Sequence, residues 1–572
     1  MQIKLLGRPA IRGSDGKRRV LRGQQVWAVL ARILLTPRPL DRRTLALDVF
    51  PETDDPLGAL RWCLASLRRA LDAPEAFAGD PVAANLPDGC RVDVFAWLEG
   101  SIDPDFSSNL LEGVEPRSSA QFATWLLVER ARFAGLVDEA LRRQALGALQ
   151  ARDADRAARL SERVVSRNPF DEGGHILLVQ SLLLAGRRDA AVAHLEGVEK
   201  LFLADLGEMP SPALRAVLKP KPAGAGPSGT SAAVGAMMDA GLAAVHAGAA
   251  DAGLDLLRQA TSDADKLGDI ALLAQTTVEL GSALVHSVRG RDDEGAILLG
   301  EALMLARRSG QGRLAVRALR ELGYVDSLAG RRPSAAEHLK AARDASAPGE
   351  KIASILAITA LNLVDWGRIP EGLSLFEEAL DTAQAEEDVR TEIFALGLGS
   401  WGFLAAERPE AARDWASSCL DRADKANWLA FRPFPAAMLG EARLGLGEDP
   451  HELRTDLEVA FALGCQLRDP CWEGATARAI ALSHAKGGDV QLAGEWMETA
   501  LRRCTRETDI YMALLVQILD DQAKFFRIAG HMSQAEWKTR ELLATAAKTH
   551  ADHQISRALA ALSFSGKRPV GA

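Results

Sequence analysis

Residues 122–133 read FATWLLVERARF, and residues 168–214 read NPFDEGGHILLVQSLLLAGRRDAAVAHLEGVEKLFLADLGEMPSPAL. The chain as a whole is rich in Ala, Leu and Arg, which favour helix over sheet. Residues that interrupt helices indicate turns at Arg152-Asp153, Asn168-Pro169 and Gly186-Arg187. The block from Leu110 to Leu218 is therefore predicted to be a series of helices.

The composition predicts a mainly α-helical protein of several domains. A chain of 572 residues is too long for one core, and its 48% hydrophobic and 25% charged content is that of globular proteins. Aromatic residues make up only 5%, with two Tyr, which disfavours sheet. The six Cys contain no C-x-x-C pair, so we expect free thiols rather than a zinc site or a disulfide framework.

Charge is distributed unevenly along the chain. Residues 1–100 contain 15 Lys+Arg and 12 Asp+Glu, whereas the formal charge of the whole chain is −9. This difference has the sign expected for a DNA-binding N-terminal end. The start of the chain lacks a signal peptide, and no apolar run reaches the roughly 18 residues of a membrane span. We therefore expect a cytoplasmic protein without a membrane partner.

The first hundred residues have the element order of a winged helix-turn-helix. Strand patterns occur at Gln2–Leu6 and Arg19–Leu21, and helical patterns start at Val26, near Arg42 and at Leu57. The turn Pro87-Asp88-Gly89 predicts a short hairpin within residues 82–94. Residues 1–100 are therefore predicted to be a winged helix-turn-helix domain.

The third helix, residues 57–71, is the candidate recognition helix. Its leucines at 60, 64, 67 and 71 lie within about a 60° arc, which predicts a buried stripe. Side chains off that stripe can donate to bases and phosphates, although an ordinary helix with solvated arginines has the same pattern. The candidate DNA contacts are Arg61, Trp62, Ser66, Arg68, Arg69, Arg42 and Arg43. The Arg18-Arg19 turn is a further candidate for phosphate contact, or a solvated loop.

A linker and a set of repeats are predicted beyond the central block. Residues 219–231 (KPKPAGAGPSGTS) are rich in Pro, Gly and Ser, as flexible linkers are. Residues 232–565 then repeat a polar turn and an amphipathic helix about every 40 residues, which indicates stacked helical hairpins. The repeat turns are at Gly248, Gly290, Gly330, Gly367, Glu407, Gly447, Gly487 and Gly530.

The central block resembles the bacterial transcriptional activator domain (BTAD) of the antibiotic regulatory protein family. The resemblance rests on Trp125 at the head of a helix, Glu129-Arg130, Asn168-Pro169 with Glu172, Gly186-Arg187, and Leu206-Gly207 with Pro210. It implies a BTAD-like domain over residues 101–218 behind a DNA-binding winged helix. It also implies activation at promoter repeats, with dimerisation or RNA polymerase contact by the activator domain. The C-terminal repeats resemble tetratricopeptide repeats of bacterial regulators.

The recognition segment departs from that family's pattern. Ala65 and Ser66 stand where relatives usually carry Ser and Arg, and Gly58 stands where they often have Asn. Phe50 and Cys90 replace a usual Trp and Tyr. These changes leave fewer polar groups for the DNA groove. They motivate the alternative in which the winged helix has lost DNA binding.

The sequence predicts a DNA-binding transcriptional regulator rather than an enzyme. It contains no G-x-x-x-x-G-K-[ST], H-E-x-x-H or G-x-S-x-G motif, and we expect no cofactor and no bound metal. The expected partners are double-stranded DNA, and a protein or small molecule on the repeats; RNA polymerase and a second copy of the chain are further candidates. The alternative is a repeat-based interaction scaffold with a degenerate winged helix.

Overall fold

The computed structural model describes residues 1–36, 39–98, 108–115, 119–211, 214–215, 217–218, 230–246 and 249–565. Contacts divide the chain into two compact units, Met1–Val137 and Asp138–Ala572. Residues 219–229 of the predicted linker, and the predicted turn at Gly248, lie outside the described residues. Within the described ranges, no helix has the length and apolar character needed to cross a membrane.

Unit 1 combines a small sheet with short helices. The strands are β1 (Gln2–Lys4), β2 (Ala10–Arg12), β3 (Arg18–Arg19) and β4 (Arg91–Val92), in the order β3-β2-β1-β4. The first helices are α1 (Gln24–Leu35), α2 (Arg42–Val49), α3 (Pro56–Leu71) and α4 (Asp93–Leu98). The predicted leucine stripe of α3 is buried, with exposures of 0–1%.

The hairpin predicted within residues 82–94 is wrong. Instead, β4 pairs in parallel with β1, with Val92 opposite Ile3. The buried carboxylate of Asp93 accepts hydrogen bonds from the backbone N–H groups of Leu5 (2.8 Å) and Leu6 (3.0 Å). Because this bond fixes Asp93 beside β1, the chain starts α4 there rather than returning as a second hairpin strand.

The central block is helical, as predicted. Its helices are α5 (Ala120–Gln150), α6 (Ala154–Arg167), α7 (Glu172–Leu184) and α8 (Arg188–Asp205). Two predicted turns contain a left-handed residue, Arg152 (φ 56°) and Gly186 (φ 71°), as is common where helices end. The boundary between the two units falls at Val137, inside α5.

The first half of α5 belongs to unit 1 because its side chains bind that unit. Arg130 donates from Nε and Nη2 to the carbonyls of Leu110 (2.9 Å) and Leu111 (2.8 Å). Phe133 packs against Trp97 with ring centroids 5.0 Å apart. A single helix therefore contributes residues to both compact units.

Eight helical hairpins follow within the described part of unit 2. They are α9 Ser231–His246 with α10 Ala250–Leu267, α11 Ile270–Ser287 with α12 Asp292–Arg308, α13 Gly312–Leu328 with α14 Arg332–Ala345, α15 Ala353–Trp366 with α16 Ile369–Ala385, α17 Val389–Ala405 with α18 Pro409–Lys425, α19 Pro433–Gly445 with α20 Pro450–Leu467, α21 Pro470–Lys486 with α22 Val490–Cys504, and α23 Met512–Ile528 with α24 Met532–Lys548. A last helix, α25, spans Asp552–Ser565.

The predicted repeat turns coincide with left-handed backbone in the structure. Positive φ angles occur at Gly290, Gly330, Gly367, Gly447 and Gly530. Glu407 adopts φ 57° without being glycine, and in the seventh hairpin the left-handed residue is Gly488 rather than Gly487. A left-handed residue satisfies the last carbonyls of the first helix and redirects the chain, so these positions separate the two helices of each hairpin.

Polar contacts join early hairpins to late ones. Arg289 donates from Nε to Asp469 Oδ2 (2.9 Å), and the backbone N–H of Arg291 donates to Asp509 Oδ2 (2.9 Å). Asp365 accepts from Tyr511 Oη at 3.0 Å, across 146 residues of sequence. The repeats therefore contact one another well beyond nearest neighbours.

Several tryptophans of the repeats pack into the core. Trp401 is buried, and Trp415, Trp472 and Trp496 are partly buried against the main apolar cluster. Trp537 is the opposite, since 61% of it is exposed. The aromatic junction at residues 428–435 buries Phe431 and Phe434 in the core.

Candidate nucleic-acid interface

The outer face of α3 presents polar and aromatic side chains opposite its buried leucines. Arg61, Trp62, Ala65 and Arg69 are all exposed, and Trp62 exposes 54% of its surface. The helix begins at Asp55, whose carboxylate accepts from Gly58 N (2.7 Å), and it carries Pro56 in its first turn. These start residues orient the exposed face, because the cap and the fixed proline φ angle define the first turn.

Arg61 is available to a ligand. Its Nη2 lies 3.3 Å from Asp55 Oδ2, and the two side chains expose 65% and 67% of their surfaces. An ion pair this exposed contributes about 0–1 kcal/mol, so a phosphate can replace the carboxylate at little cost. Among the described residues, Arg69 bonds to its own helix, at 3.3 Å to Ala65 O and to Ser66 Oγ, and it is equally open to exchange.

Arg68 has a structural role that the sequence did not reveal. Its Nε donates to Ala76 O (2.7 Å) and its Nη2 to Phe77 O (2.9 Å). These bonds attach the segment after α3 to the end of that helix. A guanidinium engaged by two backbone carbonyls has fewer donors left for DNA than Arg61 or Arg69.

The two arginines at the start of α2 differ in the same way. Arg42 donates from Nε to Gly79 O (2.9 Å), and its backbone N–H donates to Asp80 Oδ1 (2.9 Å). Arg43 is exposed. Of this pair, Arg43 is therefore the better placed for a phosphate contact.

The sheet adds basic residues that motif reading overlooked. Its register places Arg12 opposite Arg18, and Gln2 of the central strand pairs with both Arg12 and Arg91. All four side chains are exposed. Only the strand pairing brings Arg12 and Arg91 onto one row, so sequence spacing alone could not have found them.

The glycine in place of the family's Asn has a local cause. A Cβ built on Gly58 would lie 2.1 Å from Asp55 Oδ2, the carboxylate that caps α3. In this conformation the cap of α3 and a side chain at position 58 exclude each other. A side chain at position 58 would therefore require the Asp55 carboxylate to move.

The residues that carry the family resemblance hold local structure. Trp125 lies under the Arg32 guanidinium, with 4.9 Å from Cζ to the ring centroid, and packs against Phe122. Glu172, buried in α7, accepts from Ser211 N at 2.9 Å. The Trp-led helix and the Asn-Pro-x-x-Glu turn thus serve packing and tertiary hydrogen bonds.

A histidine pair sits between α7 and α8. His175 Nδ1 and His194 Nε2 are 3.0 Å apart, and His175 Nε2 lies 2.9 Å from Pro169 O. Burial, assisted by the neighbouring His175, lowers the pKa of His194 to about 4. His194 is therefore neutral in the folded protein across the physiological pH range.

This pair makes the stability of unit 2 pH-dependent. Because the folded pKa of His194 is below the unfolded value of about 6.5, its contribution is present above pH 6.5 and is lost as pH falls toward 4. We expect a loss of roughly 1–2 kcal/mol, after allowance for partial exposure. His194→Gln, which keeps a hydrogen-bond partner but does not titrate, should flatten this part of the curve in thermal unfolding at pH 7.5, 6 and 5. Equal slopes for both proteins would contradict the assignment.

An open cleft of about 560 Å³ lies beside α20 and α22, lined by Phe461, Trp496 and Thr499 with Glu495 and arginines 502, 503 and 506. The positive charge of its arginines is largely neutralised, because buried Glu473 pairs with Arg503 and Arg506 at 2.8 Å. The cleft is thus not a concentrated anion site. Among the described residues, no group of three or more His, Cys, Asp or Glu side chains could hold a metal ion.

Several solved structures resemble this chain only at low TM-scores. Solved structures with a similar helical arrangement include a Rap protein complexed with competence and sporulation factor, at 15% identity over 57% of this chain and 100% of that one, TM-score 0.42. A second is the human IFIT1 dimer with PPP-AAAA, at 14% identity over 67% of this chain and 80% of that one, with a TM-score of 0.36. A third is the APC/C hetero-tetramer Cut9-Hcn1, at 13% identity over 74% of this chain and 96% of that one, with a TM-score of 0.23. At such scores these likenesses carry no argument about function.

No curated protein matches the sequence. Residues 106–219 match the family model of the bacterial transcriptional activator domain. This match covers the helices α5 to α8, whose Trp125, Arg130 and Glu172 contacts are described above. Over residues 106–219 the chain is therefore similar to the bacterial transcriptional activator domain.

Proposed function

We propose that this protein is a DNA-binding transcriptional regulator, and an activator, in which α3 reads promoter DNA and the repeats bind a partner or signal. The observation that carries the proposal is the exposed face of α3, with Arg61, Trp62 and Arg69, in the domain directly preceding the activator domain. Arginine in a groove donates to base edges and phosphates, and an exposed tryptophan packs on sugar or base.

The charges of unit 1 support the same function. Arg61, Arg69 and Arg43 are exposed and either unshielded or held by weak local contacts, while Arg12 and Arg18 lie directly opposite each other in the sheet. Like charges in that position destabilise a sheet by a few tenths of a kcal/mol, and a phosphate backbone would relieve the repulsion.

The test is a mobility shift of the full chain with the DNA upstream of its own operon, at several salt concentrations. Arg61→Gln with Arg69→Gln should weaken binding by about 30-fold to about 10⁴-fold, since each such contact is worth about 1–3 kcal/mol. Loss of a phosphate contact should also lower the slope of log affinity against log salt by about 1. The matched control is Arg540→Gln, which removes an exposed arginine of α24 paired only with Glu536.

In the same experiment, Arg68→Gln distinguishes an effect on DNA contacts from an effect on the stability of unit 1. Because Arg68 bonds to Ala76 and Phe77, its loss should lower the stability of unit 1 more than it changes the salt slope. Unchanged affinity in the Arg61 and Arg69 double variant would exclude α3 as the reading helix.

The second candidate function is a repeat-based interaction scaffold whose winged helix no longer binds DNA. The observation in its favour is Gly58, where the cap of α3 occupies the space of the side chain found in relatives. Absence of salt-dependent DNA binding by the wild-type chain, together with a stable protein complex on the repeats, would establish the scaffold instead.

A further inference from the structure

The second half of α5 lies against the repeats of unit 2 through charged side chains. Asp138, Glu139, Arg142 and Arg143 fall on one side of this helix, at i, i+1, i+4 and i+5. Their partners come from three different hairpins. Asp138 Oδ2 meets Lys548 Nζ (2.9 Å), Glu139 Oε1 accepts from Ser334 N (2.8 Å), Arg142 pairs with Asp293, and Arg143 Nη1 meets Glu337 Oε2 (2.7 Å).

Glu139 supplies a helix cap that the repeats do not make themselves. Ser334 lies in the first turn of α14, and the residue before that helix, Arg331, forms no side-chain capping bond. The first N–H groups of a helix lack partners within it, so an outside acceptor is required. Glu139, only 6% exposed, accepts from both the backbone N–H and the hydroxyl of Ser334. A residue of the activator domain thus takes the place of the missing N-cap side chain of α14.

The neighbouring ion pair between Arg142 and Asp293 also depends on the space that Gly173 leaves for the aspartate. Arg142 and Asp293 expose 10% and 20% of their side chains, and Asp293 lies in the first turn of α12. A Cβ on Gly173 of α7 would come within 1.7 Å of Asp293 Oδ2. Glycine at position 173 therefore leaves room for the aspartate that receives Arg142.

We infer that Asp293, Ser334, Glu337 and Lys548 form a helix-docking surface on the repeats, and that the second half of α5 is its resident and releasable occupant. The surface fits a helix that presents an acidic residue followed by basic residues three and four positions later, as Glu139, Arg142 and Arg143 do. The four contacts between this side of the helix and the repeats are polar on both sides, so water can replace each partner when they separate. Contacts between hairpins, by contrast, bury leucine, valine and alanine.

This inference extends the proposed function to its regulation. A partner protein with a helix of that charge order competes for the surface, and its binding frees the activator domain. The regulatory consequence rests on the proposed function, whereas the docking itself does not require DNA.

Hydrogen exchange of the full chain tests the docking. Arg142→Met leaves Asp293 without its partner, and exchange in residues 138–150 and 334–337 should become about tenfold faster or more. Residues 122–136, in the first half of the same helix, serve as the internal control and should not change. Unchanged exchange at both segments would overturn the inference, as would an equal acceleration throughout α5.

An exposed ion pair gives a second test that does not endanger folding. Arg143 and Glu337 expose 49% and 65% of their side chains. Arg143→Glu should speed exchange of residues 138–150 about two- to fivefold, and adding Glu337→Arg should restore it. Failure of the second change to rescue the first would show that this surface is not the docking site. Neither test uses DNA, so a negative mobility shift would remove the proposed function and leave the docking surface standing.

Discussion

Arg478→Met is expected to lower the free energy of unfolding of the repeats by about 4 kcal/mol. Arg478 is 2% exposed and binds two carboxylates from other hairpins, Glu441 (2.7 and 2.9 Å) and Asp521 (2.7 Å). Burial would raise the pKa of Asp521, but Arg478 and Lys524 outweigh it and hold that pKa below its usual value. Without the guanidinium, one buried carboxylate must either stay charged without its partner or take up a proton.

Chemical unfolding of the full chain, followed at pH 7.5, measures this effect. The triple variant Arg478→Met, Glu441→Leu, Asp521→Leu should recover most of the loss, because apolar residues of similar volume replace a buried ion triad with little net change. Arg540→Met is the matched control, since that exposed pair should contribute about 0–0.5 kcal/mol. A loss below about 1 kcal/mol for Arg478→Met would show that water reaches this site.

Asp93→Ala should destabilise unit 1 by about 2–4 kcal/mol, because it leaves two buried backbone donors without an acceptor. The Asp93 carboxylate is 6% exposed and receives the N–H groups of Leu5 and Leu6, which attach the end of β1 to the start of α4. Hydrogen exchange of those two amides reports the change directly. Asp93→Asn keeps one acceptor oxygen and should cost about half as much.

The Asp93 prediction also bears on the candidate interface. If Asp93→Ala loosened only β1 and α4, the fold-loss of DNA affinity would be smaller than the fold-loss of exchange protection at the Leu5 amide. Protection of Leu5 and Leu6 equal to that of the wild type would contradict the role given to Asp93. An equal loss of affinity and of stability would mean that unit 1 unfolds as one body.

Much of the repeat architecture could be predicted from local residues. Glycine tolerates left-handed backbone, so Gly290, Gly330, Gly367, Gly447 and Gly530 indicated turns without any knowledge of packing. The leucine stripe of α3 was predictable for a similar reason, since helical spacing decides which side chains share a face. The domain limits predicted at residues 100, 218 and 231 remain predictions.

The prediction that failed depended on a partner distant in sequence. The hairpin within residues 82–94 was wrong because Arg91 and Val92 pair with β1, about ninety positions away. It had been inferred from the turn residues Pro87-Asp88-Gly89 without their tertiary neighbours.

The sequence by itself determined the helical class and the positions of the repeat turns, because both rest on local spacing, and its motifs indicated the activator domain through their resemblance to a known family. Only the tertiary structure decided which arginines are free. Arg68 and Arg61 look alike in sequence, yet Arg68 bonds to Ala76 and Phe77 while Arg61 stays exposed. It also decided that Glu139 caps a helix 195 residues away. Such contacts follow from how the chain packs, since a hydrogen bond depends on distance in space and not on separation in sequence.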